Sequence, residues 1–179
     1  QLPVLLACLR GTPCLYQGEE LGLEEADLAF EDIRDPYGRT MWPIYKGRDG
    51  ARTPMPWHTG DHAAGFSSAE PWLPVPASHR ARAVDRQEAD PGSVLAVTRR
   101  FLAWRRERPA LRRGDWARLE ASEPLLAFSR WTDDGDRLVC AFNLSGRSAT
   151  WHPPAPLAAT DAPVSNPATV AGDVVHLPP

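Results

Sequence analysis

No apolar run in this chain approaches the ~18 residues that a membrane-spanning helix needs. There is no basic footprint either. The net charge is −3, which argues against nucleic acid as a partner and against a polybasic membrane anchor. Cysteine is scarce and odd in number: Cys8, Cys14 and Cys140, with no CxxC spacing. Cys8 and Cys14 lie in apolar surroundings, so buried reduced thiols are expected and metal ligation is not. Histidine offers no metal site in its place. Among His58, His62 and His79, the four-residue spacing of the first two contains glycine and has no third ligand nearby. No cofactor is implied. Gln1–Leu9 lacks the basic start and cleavage site of a signal peptide.

Proline, by contrast, is abundant. Nineteen prolines in 179 residues are about twice the usual frequency of roughly 5%. Because proline is excluded from helix interiors and central strands, much of the chain must be loop. Seven tryptophans argue against disorder, which is poor in aromatics. Ordered, proline-pinned, aromatic-rich loops suit a carbohydrate site, and they suit a structural lid equally well.

Gln1–Arg10 is an apolar run without a preceding cap or an initiator methionine. It reads as the last turns of a buried helix, closed by Gly11 as the C′ residue. Thr12–Gln17 is short and mostly apolar, which suits a buried parallel strand. A helix followed at once by such a strand is the α-to-β step of an α/β fold, and a chain that opens inside it reads as a fragment. From Gly18 to Ala89 there is little periodicity and much Gly, Pro, Asp and Trp; a loop that long is usually functional.

Asp90 is the expected helix cap, with Pro91 at the first helical position. Val94, Val97, Phe101 and Trp104 then recur at helical spacing, widened by Leu95 and Leu102, opposite a face of Arg99, Arg100, Arg105 and Arg106. Pro109 ends that helix. Five short strands follow, over 116–119, 125–131, 137–143, 149–152 and 174–177, and predict a small antiparallel β-domain.

Gly11-Thr-Pro-Cys-Leu-Tyr-Gln-Gly-Glu-Glu-Leu-Gly22 resembles the eighth-strand motif of glycoside hydrolase family 13, whose catalytic domain is a (β/α)₈ barrel. More specific blocks resemble its α-glucosidase branch. They are Phe30-Glu-Asp-Ile-Arg-Asp-Pro-Tyr-Gly38, Gly47-Arg-Asp-Gly-Ala-Arg-Thr-Pro-Met-Pro-Trp57, Pro71-Trp-Leu-Pro-Val75 and Glu88-Ala-Asp-Pro-Gly-Ser-Val94. The resemblance implies that residues 1–112 are the C-terminal part of the barrel: the end of helix seven, strand eight, its long βα loop and helix eight. Residues 113–179 would be a C-terminal β-sandwich domain. Barrel active sites are built from loops at the C-terminal ends of strands, so Gly18–Ala89 would lie on the active-site face.

In enzymes this sequence resembles, the arginine of Arg-Thr-Pro-Met-x-Trp contacts the glucose at the non-reducing end, which implies that Arg52 binds substrate. A fixed guanidinium fork suits exo action because it can grip terminal hydroxyls. Pro54 and Pro56 hold Thr53 and Met55 near extended geometry. Glu31 is the preferred candidate on the neighbouring sugar's side, among Glu31, Asp32 and Asp35; Asp35 can alternatively support the loop. Tyr16 and Glu20 are expected to fix the strand-to-loop turn. Glu19 and Glu20 cannot be a catalytic pair, since adjacent residues point apart and cannot flank one bond at ~5 Å. Trp42, Trp57 and Trp72 are expected to seal the loop rather than stack on sugars.

The resemblance places the nucleophile and acid/base carboxylates after strands four and five, which correspond to no segment of this chain. The expectation through this resemblance is part of a cytoplasmic, retaining α-glucosidase acting on short malto- or isomalto-oligosaccharides, inactive without the N-terminal barrel portion. Two alternatives stand beside it. One is a trehalose synthase-like fragment, although that enzyme usually has Tyr-Gly-Asp-Glu where this chain has Tyr16-Gln-Gly-Glu19. The other is a stand-alone carbohydrate-binding or interaction β-domain using Trp116, Trp131 and Trp151.

Overall fold

The computed structural model describes residues 2–179, which form two compact units. One consists of the N-terminal stretch to Cys14 together with Val97–Pro179, the other of Leu15–Ala96.

In the first unit, α1 (Leu2–Cys8) ends ahead of Gly11, whose φ of 116° only glycine tolerates readily. Helix α5 (Val94–Arg106) runs into this unit and is followed by α6 (Pro109–Arg113). Strands β1 (Asp115–Arg118), β2 (Leu125–Trp131) and β3 (Arg137–Asn143) form one antiparallel sheet. Strands β4 (Ala149–Trp151), β6 (Val174–Leu177) and β5 (Thr169–Ala171) form a second, in that order.

Period-two alternation gives the first sheet two apolar faces. Leu126, Phe128, Leu138, Cys140 and Phe142 share a core with Ala7, Cys8, Phe101 and Leu111 from the helices. Leu125, Ala127, Val139 and Ala141 pack with Trp151, Val175 and Leu177 of the second sheet. The unit is therefore layered helix, sheet, sheet. Strand β5 escapes sequence analysis although Gly172-Asp173 makes the two-residue turn that joins it to β6. Three residues are too few for alternation to register.

The middle sheet holds a fully buried arginine. Arg130 reaches five carbonyls: Cys8 and Leu9 at 2.6 and 2.8 Å, Leu111 and Gly114 at 3.3 and 3.0 Å, and Asp115 at 3.2 Å. Four of the five belong to the C-terminal ends of α1 and α6, where unpaired carbonyls carry partial negative charge. Burial lowers the basicity of Arg130 below its ordinary value. Arg105 serves the same ends, donating to Ala7 and Leu111 at 2.7 and 3.1 Å. It is thus half-buried structural glue and no part of a solvated basic face.

Other expectations fail here for clear reasons. Thr12–Gln17 belongs to no sheet among the described residues. A parallel strand needs a neighbouring ladder, and both sheets are built from residues after Gly114. Cys14 is exposed, whereas Cys8 is buried. The Cys8 thiol, hydrogen-bonded to Cys140 and withdrawn from water, is pushed well above the ordinary thiol range. Helix α5 starts at Val94, later than Asp90 suggests. The Ser93 hydroxyl accepts the Ala96 amide at 3.2 Å, while Asp90 closes a turn by accepting the Gly92 amide at 2.8 Å.

The second unit is mostly loop, held by short elements. These are α2 (Pro36–Met41), α3 (Ala77–Arg80), α4 (Val84–Glu88) and 3₁₀ turns at Glu19–Leu21, Phe30–Asp32, Asp49–Ala51 and His62–Gly65. One apolar cluster joins Ala26, Leu28, Ile33 and Leu73; another joins Leu21, Met55 and Leu95. The buried Gln87 amide ties the second cluster's backbone together. It donates to the Leu21 and Arg82 carbonyls and accepts from the Leu95 amide, at 2.9, 2.9 and 3.0 Å. Among the described residues, no helix is long and apolar enough to cross a membrane.

Candidate substrate site around Arg52

Thr53, Pro54, Met55 and Pro56 are all buried, so the backbone that carries Arg52 is fixed on its C-terminal side. Its N-terminal side is the 3₁₀ turn Asp49–Ala51, where the Arg52 amide donates to the Asp49 carbonyl at 2.9 Å. Residues three apart eclipse in such a turn, which sets the Asp49 and Arg52 side chains side by side. Gly50 lets the turn press against Ala26, whose carbonyl oxygen would lie 2.4 Å from any added Cβ.

Arg52 Nη1 sits 3.7 Å from a carboxylate oxygen of Asp35 and 3.7 Å from one of Asp49. Both acids are buried, while the Arg52 side chain keeps 36% of its exposure. Asp49 Oδ2 accepts the amides of Arg34 and Asp35, each at 2.6 Å. Asp35 caps α2 by accepting the Tyr37 amide at 3.0 Å. Its other oxygen accepts both the amide and Nε of Arg48 at 3.2 Å. Burial pulls the Asp35 pKa up, but the Arg48 side chain and the Tyr37 and Arg48 amides outweigh it and hold it below the usual range. The acid is therefore ionised throughout the neutral range. Gly47, with φ 77°, admits this packing: a Cβ there would meet that of Asp35 at 2.8 Å.

Next to Arg52, the Thr53 hydroxyl lies 3.0 Å from His79 Nδ1, and His79 Nε2 lies 2.8 Å from the Glu24 carbonyl. A carbonyl can only accept, so Nε2 carries a proton; in the neutral ring Nδ1 then accepts from Thr53. His79 is buried and structural. A cavity of about 200 Å³ opens beside this segment, lined by Tyr16, Glu19, Gly50, Ala51, Thr53 and His79 among others.

The remaining candidates fall in different places. Glu31 is exposed on its 3₁₀ turn, without a hydrogen bond or ion pair among the described residues. Tyr16 is 52% exposed, and its amide donates to the Glu19 carboxylate at 3.2 Å. Glu20 accepts the Gly18 amide at 2.8 Å. Both glutamates are thus occupied by backbone donors. Trp42 packs against the Ala26–Leu73 cluster with Phe30 at 5.6 Å, whereas Trp57 and Trp72 are exposed. Sequence analysis does not single out Asp49, although its i, i+3 spacing to Arg52 is a local signal.

Residues 1–114 match the family Alpha-amylase, described as alpha amylase, catalytic domain. The chain belongs to the alpha-amylase family. A family relative, the probable alpha-glucosidase of Rhizobium meliloti (strain 1021), is 52% identical over 149 residues, 83% of this chain and 27% of its own length. The oligo-1,6-glucosidase of Halalkalibacterium halodurans is 30% identical over 171 residues, 86% of this chain and 30% of its own. Among solved structures, the alpha-glucosyl transfer enzyme XgtA superposes over 99% of this chain with a TM-score of 0.94 and 50% identity. The trehalulose synthase MutB from Pseudomonas mesoacidophila MX-45 gives 0.84 and 26%, also over 99%. This chain spans 33% and 36% of those two structures. It therefore covers about a third of its family relatives' length.

Proposed function

We propose that the chain is one portion of a retaining, exo-acting α-glucosidase that releases terminal α-linked glucose from short malto- or isomalto-oligosaccharides. The observation that carries this reading is Arg52, half-exposed and bracketed by two buried carboxylates, within a block that resembles α-glucosidases. In this reading residues 1–112 complete the barrel: α1 ends its seventh helix, 12–17 would become its eighth strand only beside neighbouring barrel strands, and α5 is its eighth helix. Residues 113–179 are the β-sandwich domain.

Arg52 would grip the hydroxyls of the terminal glucose, and Asp35 would hold the loop in place. Glu31, unpartnered and exposed, would face the next sugar. Retention requires a nucleophile and an acid/base carboxylate about 5 Å apart. The Glu19 and Glu20 carboxylates are engaged by backbone amides, so this reading assigns both catalytic groups to the N-terminal barrel portion. Transfer of glucose to other acceptors is a proposed side activity, supported by the 50% identity to an alpha-glucosyl transfer enzyme. A cytoplasmic location accompanies the proposal, with no cofactor.

A stand-alone sugar-binding β-domain is not favoured. Trp151 is buried, and its indole donates to the Glu120 carbonyl at 2.9 Å. Trp116 pairs with Arg130 while Trp131 pairs with Asp115, so the other two tryptophans point to opposite faces and share no platform.

Proton NMR of the longer enzyme acting on maltose tests the proposal. The first free glucose formed from the non-reducing end is expected as the α-anomer, before mutarotation. Initial β-anomer would overturn retention, and internal cleavage of longer oligosaccharides without free glucose would overturn exo action.

A further inference from the structure

The two carboxylates beside Arg52 are not equivalent. Asp35 is already committed: both of its oxygens accept backbone amides, and the one nearer Arg52 also accepts Arg48 Nε. Asp49 divides its oxygens differently. Oδ2 takes two amides at 2.6 Å, whereas Oδ1 is fully buried and has no hydrogen-bond partner. Its cationic neighbour is Arg52 Nη1, 3.7 Å away. Fixing the loop explains Oδ2. It leaves Oδ1 unexplained, because a buried carboxylate oxygen without a donor is costly.

We infer that Asp49 is a positioning residue for Arg52. Its Oδ1 holds the guanidinium in line with the substrate pocket and forms a hydrogen bond to it when a sugar draws the arginine inward. The shift required is small, since 3.7 Å is about an ångström beyond the charge-assisted hydrogen-bond distance of about 2.7–2.9 Å. The shared 3₁₀ turn keeps both side chains in register throughout. This inference rests on the reading that Arg52 touches substrate.

Asp49→Asn separates the two oxygens. The amide oxygen can still accept from Arg34 and Asp35, while the NH₂ group presents a donor where Arg52 needs an acceptor. In the longer enzyme, kcat/KM with p-nitrophenyl α-glucoside is expected to fall about ten-fold, as befits one lost charge-assisted hydrogen bond. The inhibition constant for free glucose should rise in parallel.

The deciding comparison is a double-mutant cycle with Arg52→Ala. If Asp49 acts through Arg52, the double variant falls no further than Arg52→Ala alone. Multiplying effects, or an Asp49→Asn enzyme with unchanged kcat/KM and glucose affinity, would overturn the inference. An Arg52→Ala enzyme with normal turnover would instead remove the substrate role of Arg52, whatever Asp49 does. Should Asp49→Asn fold poorly, Asp49→Glu serves in the same cycle: it keeps the charge but moves it, and the same non-additivity is expected.

Discussion

Arg52→Ala in the longer enzyme is expected to lower kcat/KM by about ten- to a hundred-fold. A hydrogen bond to a charged group contributes roughly 1.5–3 kcal/mol, and each ~1.36 kcal/mol is a decade in rate. The substitution removes that contact and leaves Asp49 Oδ1, already without a hydrogen bond, with no cation beside it. Arg52→Lys should recover little. A single ammonium cannot reproduce the planar fork, and it could not span Asp35, Asp49 and a sugar hydroxyl together. A purely structural role predicts another pattern, in which the melting temperature drops while kcat/KM of the folded molecules stays near normal. Measuring both on one preparation separates these outcomes. Normal turnover with lowered stability would assign Arg52 to the scaffold.

The largest stability loss is expected at Arg130. Arg130→Ala strips the only side chain that bonds the carbonyls of Cys8, Leu9 and Gly114 among the described residues. Each buried group left without a partner costs about 1–3 kcal/mol. Water will enter the vacated space and recover part of this. A net loss of roughly 3–5 kcal/mol remains from the three carbonyls that lose their side-chain donor. At about 2–4 °C per kcal/mol for a chain of this length, the melting temperature should fall by roughly 10 °C. Arg130→Lys should be nearly as damaging, because its donors radiate from one point while the carbonyls lie around a guanidinium's edge. Urea midpoints of wild type and both variants check this; unchanged midpoints would show that water satisfies those carbonyls equally well.

Arg130 also shows where sequence reasoning stops. The strand around it is legible from alternation, and β2 and β3 fall where pattern and turn signals place them. Nothing local says that an arginine near the end of β2 faces inward, because its partners are carbonyls at the far ends of other elements, Cys8 and Leu9 at the end of α1 among them. Arg105 is similar: helical spacing sets it opposite the apolar stripe, but its guanidinium reaches back to Ala7 and Leu111. Asp90-Pro91 carries every mark of a helix start, yet Ser93 takes the cap because its hydroxyl lies next to the first turn.

At the site, the outcome divides along the same line. The resemblance singles out Arg52 and Asp35 separately, one as a substrate contact and the other as loop support; it does not give their proximity, 3.7 Å between side chains. Asp49 was hidden although it adjoins Arg52 in the fold. It is marked by burial and an unpaired oxygen, and neither leaves a trace in residue type. Glu31 is exposed and makes no hydrogen bond or ion pair to that cluster among the described residues.

In the proposed function, this chain contributes a substrate grip and no catalytic carboxylate. The direct test is release of p-nitrophenol from p-nitrophenyl α-glucoside by the purified 179-residue chain, assayed beside the longer enzyme at equal molarity. The account predicts turnover by the longer enzyme and none above the blank by the chain alone. Turnover by the chain, abolished by substitution of one of its own acidic residues, would contradict it.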